Sequence, residues 1–388
     1  MRVVLATVGK FHTFDLAREM HHRGWLEAVF TGYPWFKLKN EGIPPDRVRC
    51  FPWLQTLYMS RSRLRLTSPR FERALSWWAQ QTLADYTALR LPRCDVFMAL
   101  SGSGLSAGQR AQKAGATYVC DRGSSHIRYQ DRILREEYTL HNVAYPGIDP
   151  RKIDKEEAEY ERADAITVAS SFSRRSFEEM GVVATKMHQI PYGVSLSRFH
   201  PTGAPDETCF DVVFVGGACL RKGIPYLLEA FSRLKHPRKR LTLVGTVQAE
   251  VEPFIEKYRR TEAVTVAGPI PQAELKDVMS RSHVIVLPSV EDGFGLVMAQ
   301  AMACGCPVIA TTNTGAIDLY QDGQEGFIVP IRNPEAIADR MQQMADDPDL
   351  RSRMSSASLS RVQAFGGWDA YGHSMAQLFT ALRASGAT

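Results

Sequence analysis

The 388-residue chain has few cysteines, and the seven it has (50, 94, 120, 209, 219, 304 and 306) are odd in number and scattered. That pattern excludes a disulfide framework and predicts buried free thiols in a reducing cytosol. Cys304-Gly305-Cys306 lacks metal-ligand spacing, and no histidine pair accompanies it. No stretch approaches the roughly 18 apolar residues of a membrane-spanning helix. Met1 to Gly9 is too short for a signal peptide and reads as a first buried strand. A Gly-x-Gly-x-x-Gly fingerprint is missing, which excludes a standard dinucleotide site. The one Asp-x-Asp, Asp347-Pro348-Asp349, reads as a helix stop followed by a capped start, so no metal is expected. No nucleic-acid-binding motif is present.

What remains is an ordinary globular composition, 44% hydrophobic and 23% charged, over a length that predicts two domains. Charge is uneven. Residues 1–200 carry 29 basic against 21 acidic side chains, and the remainder 18 against 21, so the two halves are expected to meet different partners. Short β-branched runs alternate with helical patterns, the sign of parallel sheets with crossover helices. Strands are predicted at 2–8, 27–31, 95–100, 116–121, 165–169 and 187–190, then at 211–215, 241–245, 263–267, 283–287, 307–311 and 326–329. Strands of the second half end in Gly216, Gly245, Gly268, Pro288 and Thr312. Glycine at such an end lets a ligand approach the backbone. The breaker-rich segment 191–205 marks the domain boundary.

The most informative stretch is Pro288 to Gly305. A hydrophobic strand stops at Glu291-Asp292, a Gly293-Phe294-Gly295 turn follows, and an apolar helix opens without a charge. Unpaired N–H groups and the helix dipole make that turn an anion site. Acidic residues beside it make sense if the ligand carries hydroxyls as well as phosphates, as a nucleotide-sugar does.

These features resemble the retaining glycosyltransferases of family 4. The resemblance is carried by Ala163 to Ser170 with Gly181-Val182, by Ile190-Pro191-Tyr192-Gly193-Val194, and by Phe214-Val215-Gly216-Gly217 leading to Arg221-Lys222-Gly223. It continues through Leu227 to Phe231, the Glu291 to Thr311 run, and Gly323-x-x-Gly326-Phe327-Ile328-Val329. It implies an α/β GT-B fold, two Rossmann-like domains facing a central cleft. Residues 1–195 would bind the acceptor and residues 196–365 the nucleotide-sugar donor. A last helix in 366–388 would return to the first domain.

For the site, the resemblance implies that Arg221 and Lys222, with Gly216 and Gly217, neutralise the donor diphosphate, and that the N–H groups of Phe294, Gly295 and Leu296 cradle it. The family has arginine after the first glycine of that loop where Gly217 stands here. Its paired acidic positions fall on Asp292 and Gln300. Asp292 or the adjacent Glu291 would contact the sugar hydroxyls. Gln300 would accept from a ribose hydroxyl as a neutral, weaker acceptor, or else face the core. The base would rest against Gly245, Gly268 and Ile270. On the acceptor side, Gly9 and Lys10 follow the first strand, Asp121 ends the strand at 116–121 and Arg122 follows it. The family's histidine near that strand end, which touches the donor sugar, corresponds to His126, several residues further on, or Arg122 stands in its place and His126 is a satisfied loop histidine.

Residues 51–78 interleave Arg61, Arg63, Arg65, Arg70 and Arg73 with Trp53, Tyr58, Phe71, Trp77 and Trp78. Such a mixture suits an anionic membrane surface or a solvated helix with inward aromatics. The expectation is a cytoplasmic enzyme, peripheral at the inner membrane face. It would move a sugar from a nucleoside diphosphate to a glycan or lipid-linked acceptor of an envelope polysaccharide or glycolipid, without cofactor or metal. The alternatives are a non-catalytic nucleotide-sugar-binding protein and a GT-B epimerase or phosphorylase.

Overall fold

The computed structural model describes residues 1–61 and 68–385. Two wholly parallel sheets organise them. The first holds β1 (Val3–Thr7), β2 (Leu26–Thr31), β3 (Val48–Cys50), β4 (Val96–Leu100), β5 (Thr117–Arg122), β6 (Ala165–Val168) and β7 (Met187–Gln189). Their order is β3-β2-β1-β4-β5-β6-β7. The second holds β8 (Phe210–Val215), β9 (Lys239–Val244), β10 (Val264–Gly268), β11 (Val284–Leu287), β12 (Val308–Thr311) and β13 (Gly326–Val329), in the order β10-β9-β8-β11-β12-β13. Parallel strands need crossovers, which pack helices on the sheet faces, and this is why the strands read as continuous apolar runs. β1, β4, β8, β11 and β12 are almost entirely buried. The edge strand β3 is absent from the strands that the sequence pattern predicts. It has only three residues, Val-Arg-Cys, too few to show a pattern.

Each sheet reverses its strand order once, between β1 and β4 and between β8 and β11. Ligands in open α/β sheets bind beyond the carboxyl strand ends at such a switch point. The loops placed there are 8–12 after β1, 216–223 after β8 and 288–295 after β11.

The helix Trp368–Ser385 packs against the helix Thr13–His22, and Tyr371, Met375, Ala376 and Phe379 share one core with Phe14, Leu16, Ala17 and Met20. Gly372 permits that crossing, since a Cβ there would collide with Glu19. The connecting segments also touch: a Cβ on Gly193 would strike the backbone of Gly367. All seven cysteines are free thiols. Among the described residues no helix is long and apolar enough to cross a membrane.

Candidate active site

A cavity of about 400 Å³ opens between the two sheets. Its walls come from both domains: Lys10, Phe11, His12 and Gly123 on one side, Asp292, Phe294, Gly295 and Leu296 on the other, with Tyr192 of the connecting segment between them.

The loop after β11 builds the second wall. Gly295 sits at φ +75, in the left-handed region that glycine enters without a steric penalty. It also precedes the helix Leu296–Ala303, whose first N–H groups, at Leu296 and Val297, have no partner within the helix, while Met298 N–H donates to the Gly295 carbonyl. Gly293 is required for a different reason. A Cβ there would lie 2.6 Å from Ser124 Cα and overlap the Gly123 carbonyl, so the bare backbone lets the domains meet. The Gly293 carbonyl accepts from Ser170 Oγ at 2.5 Å and from Ser173 Oγ at 3.1 Å, both in the first domain.

Glu291 and Asp292 point to different places. The Glu291 side chain is wholly buried. It accepts from Ser124 Oγ (2.8 Å), Ser125 N (3.0 Å), Ser125 Oγ (2.8 Å), Gln130 Nε2 (2.9 Å) and Arg221 Nη1 (3.1 Å). Burial alone would raise its pKa. Arg221 and the hydrogen-bond donors outweigh that and pull it down to about 2. Glu291 is therefore a charged tie between the domains. Its oxygens are already occupied, so it is not the cleft carboxylate that the sequence allowed. Asp292 lines the cavity and pairs with Lys222 Nζ.

Arg221 and Lys222 end a short 3-10 turn after β8 and precede the helix Ile224–Arg233. Gly223, at φ +69, closes the turn against Pro288 of the β11 loop, where a Cβ would collide with the Pro288 carbonyl. The two switch-point loops of this domain therefore touch, and the cations meet the carboxylates of the neighbouring loop. Gly216 and Gly217 open the same turn, Gly217 exposed to solvent. Gly245 N–H donates to the Gly268 carbonyl at 2.9 Å, and Gly216 packs on Gly245, so three strand ends form one bare-backbone rim. Ile270 lies just past it, half-buried against the core. Gln300 is one turn beyond Leu296 on the same helix face, half-buried.

In the first domain two expected residues are not in the cleft. Arg122 is buried. It donates to Glu156 Oε2 (2.5 Å), Ser101 Oγ (3.1 Å), the Ser125 carbonyl (2.9 Å) and Gln130 Oε1 (3.0 Å). Burial works against its charge, and Glu156 more than restores it. Arg122 thus shapes the 123–130 loop from behind. His126 caps the helix Ile127–Leu140, its Nδ1 accepting from Arg128 N at 3.2 Å, and its ring packs on Tyr160 and Phe177. Burial pushes its pKa down to about 4. It lines a separate cavity with Glu157 and Tyr160 and does not reach the central cleft.

The histidine that does line the cleft is His12. Its Nε2 pairs with Asp121 Oδ2 at 2.5 Å, and Thr167 Oγ1 donates to Asp121 Oδ1 at 2.8 Å. Gly9 and Lys10 share its loop, Lys10 pairing with Glu41 at 2.5 Å. The sequence signal was the Gly9-Lys10-Phe11-His12 loop after β1. Nothing in the sequence shows that Asp121, a hundred residues away, ends beside it.

Residues 198–361 match the family of group 1 glycosyl transferases. A D-inositol 3-phosphate glycosyltransferase of Streptomyces scabiei is 31% identical over 212 residues, 49% of this chain and 47% of that protein. The putative colanic acid biosynthesis glycosyltransferase WcaL of Escherichia coli is 27% identical over 194 residues, 47% of this chain and 48% of that protein. The chain thus spans about half the length of these curated relatives. Among solved structures, sucrose-phosphate synthase from Thermosynechococcus elongatus superposes with a TM-score of 0.73 at 21% identity, covering 99% of this chain and 100% of that one. Anabaena Alr3699/HepE in complex with UDP-glucose does so with a TM-score of 0.68 at 16% identity, covering 98% and 100%. The likeness to the group 1 glycosyl transferases is thus carried by residues 198–361, and the chain as a whole has the two-domain GT-B fold.

Proposed function

We propose that the chain transfers a sugar from a nucleoside diphosphate to a hydroxyl of a glycan or lipid-linked acceptor, with retention and without a metal. One observation carries this reading. A helix N-terminus and Asp292 line the cleft at one switch point, and Arg221 and Lys222 stand just behind them, paired with Glu291 and Asp292. A diphosphate would draw on the N–H groups and the spare donors of these cations, and sugar hydroxyls would donate to Asp292. Similar folds have been captured with UDP-glucose, as in Anabaena HepE.

In this reading Arg221 and Lys222 stabilise the charge that grows on the leaving diphosphate, supplying locally what a metal otherwise would. The leaving oxygen takes the acceptor proton on the same face, and the protein holds the reactants in place. Gln300 and the Gly245–Gly268 rim hold ribose and base. An anionic membrane is the proposed platform for the acceptor. Its support is Trp53, Met59, Phe71 and Trp78, all strongly exposed on the helices Trp53–Ser60 and Pro69–Arg90. Part of that segment is turned inward, with Arg61 paired to Glu72 and Trp77 covered by Arg151 and Lys155. Arg63 and Arg65 lie outside the described residues.

The test is release of nucleoside diphosphate from a panel of nucleotide-sugars, with and without hydroxyl acceptors, in EDTA. Slow release that an acceptor accelerates, with the donor's anomeric configuration kept in the product, supports the proposal. Binding without turnover under every acceptor points to a non-catalytic binder. An inverted product or loss of turnover in EDTA removes the corresponding part.

A further inference from the structure

His12 and Tyr192 line the cleft and have no task in the donor-phosphate scheme, yet both hold polar atoms without partners, the Tyr192 hydroxyl buried just behind the cavity wall. Asp121 can only accept, so the proton between the two residues sits on His12 Nε2. In the neutral imidazole His12 Nδ1 then carries a lone pair, and it makes no hydrogen bond among the described residues. The ring cannot turn away. It stacks on Tyr192 with centroids 4.2 Å apart and meets Tyr371 edge-on at 6.5 Å.

Tyr192 is 6% exposed, and its hydroxyl has no partner. Buried hydroxyls are nearly always hydrogen-bonded, so such an exception calls for an explanation. Burial raises the phenol well above its ordinary range, so it keeps a proton to donate. The surroundings of both groups indicate where a ligand enters. A Cβ on Gly123 would stand 3.2 Å from the Tyr192 hydroxyl and 3.6 Å from His12 Cε1. Both groups thus face a bare glycine backbone at the corner of the cavity that Asp292 and Gly295 close from the other domain.

We propose that His12 and Tyr192 read one hydroxyl of the transferred sugar, which donates to Nδ1 and accepts from the phenol, while Asp121 is the positioning residue that fixes the imidazole. The hydrogen-bonding pattern favours a hydroxyl over a phosphate, because an ionised phosphate oxygen has no proton to give to Nδ1. A hydroxyl matches one acceptor and one donor at once.

The inference rests on the sugar-transfer reading, and the test separates the two. With the nucleotide-sugar that wild-type turns over, kcat/KM is measured for Tyr192→Phe and His12→Asn, together with their affinity for the parent nucleoside diphosphate and their rates with monodeoxy donors. Each variant should lose roughly tenfold or more with the full sugar. Each should keep diphosphate affinity within about twofold and match wild-type with one particular monodeoxy donor. Gly123→Ala, which places a methyl beside the phenol, should act in the same direction. Tyr192→Phe removes only an unpartnered hydroxyl, so it decides the matter if His12→Asn does not fold. Diphosphate affinity falling in parallel, equal losses with every monodeoxy donor, or wild-type rates with the full sugar overturns the inference and leaves the transfer reading standing. A wild-type chain that binds no nucleotide-sugar overturns both.

Discussion

Glu291→Gln should destabilise the protein by about 3 kcal/mol at neutral pH, and the loss should shrink in acid. The pKa of Glu291 falls from its ordinary 4.5 to about 2 in the fold. A difference of about 2.5 units corresponds to about 3 kcal/mol. The figure agrees with the roughly 3–5 kcal/mol cost of breaking a buried ion pair from one side. Because the folded pKa is depressed, the contribution is complete above pH 4.5 and disappears as pH falls through 2. At pH 3 about 1.4 kcal/mol of it remains. Wild-type and Glu291→Gln would be melted at pH 7 and pH 3, followed by tryptophan fluorescence. The expected gap is roughly 6–12 °C at pH 7, for a cooperative unit of about 200 residues, and less than half of that at pH 3. A gap under 2 °C at pH 7, or one that does not narrow in acid, would refute the charged interdomain tie.

Arg221→Ala or Lys222→Ala should lower kcat by at least about tenfold through lost leaving-group stabilisation; wild-type rates in both would remove these residues from the diphosphate. Gly293→Ala should hold the domains apart, because the new methyl meets Gly123 and Ser124. The expected signs are a larger radius of gyration in X-ray scattering, unchanged far-ultraviolet circular dichroism and loss of turnover; wild-type turnover would contradict the close approach. The membrane proposal predicts sedimentation with anionic vesicles at low salt and release at high salt. No sedimentation at low salt ends it.

How much of this was legible in the sequence depended on the range of the interaction. Strands such as β1, β8 and β11 announce themselves because a strand buried on both faces is a run of Val, Ile and Leu, whereas β3 is too short to do so. Glycines after β8 and β11 announce switch-point loops. What they permit is partly invisible: Gly295 is a local matter of φ, but Gly293 answers to Gly123, which lies in the other domain. The acidic pair shows the same limit. Adjacent residues on an irregular loop point in different directions, and only the neighbours in space decide that Glu291 is tied to Ser124 and Ser125 while Asp292 faces the cleft. The histidines repeat it. His126 follows β5 closely in sequence yet caps a helix away from the cleft. His12 belongs to a loop after β1 and reaches Asp121 across β4.

Binding of a nucleoside diphosphate sugar in the cleft through Arg221 and Lys222 is open to a thermal-shift series with UDP-, GDP- and ADP-sugars. A ligand bound only by the native state, at 100 times its Kd, stabilises by about 2.7 kcal/mol. At least one donor should raise the melting temperature of the wild-type chain by several degrees, and Arg221→Ala and Lys222→Ala should abolish the rise. No shift with any donor, or an equal shift in both variants, would contradict it.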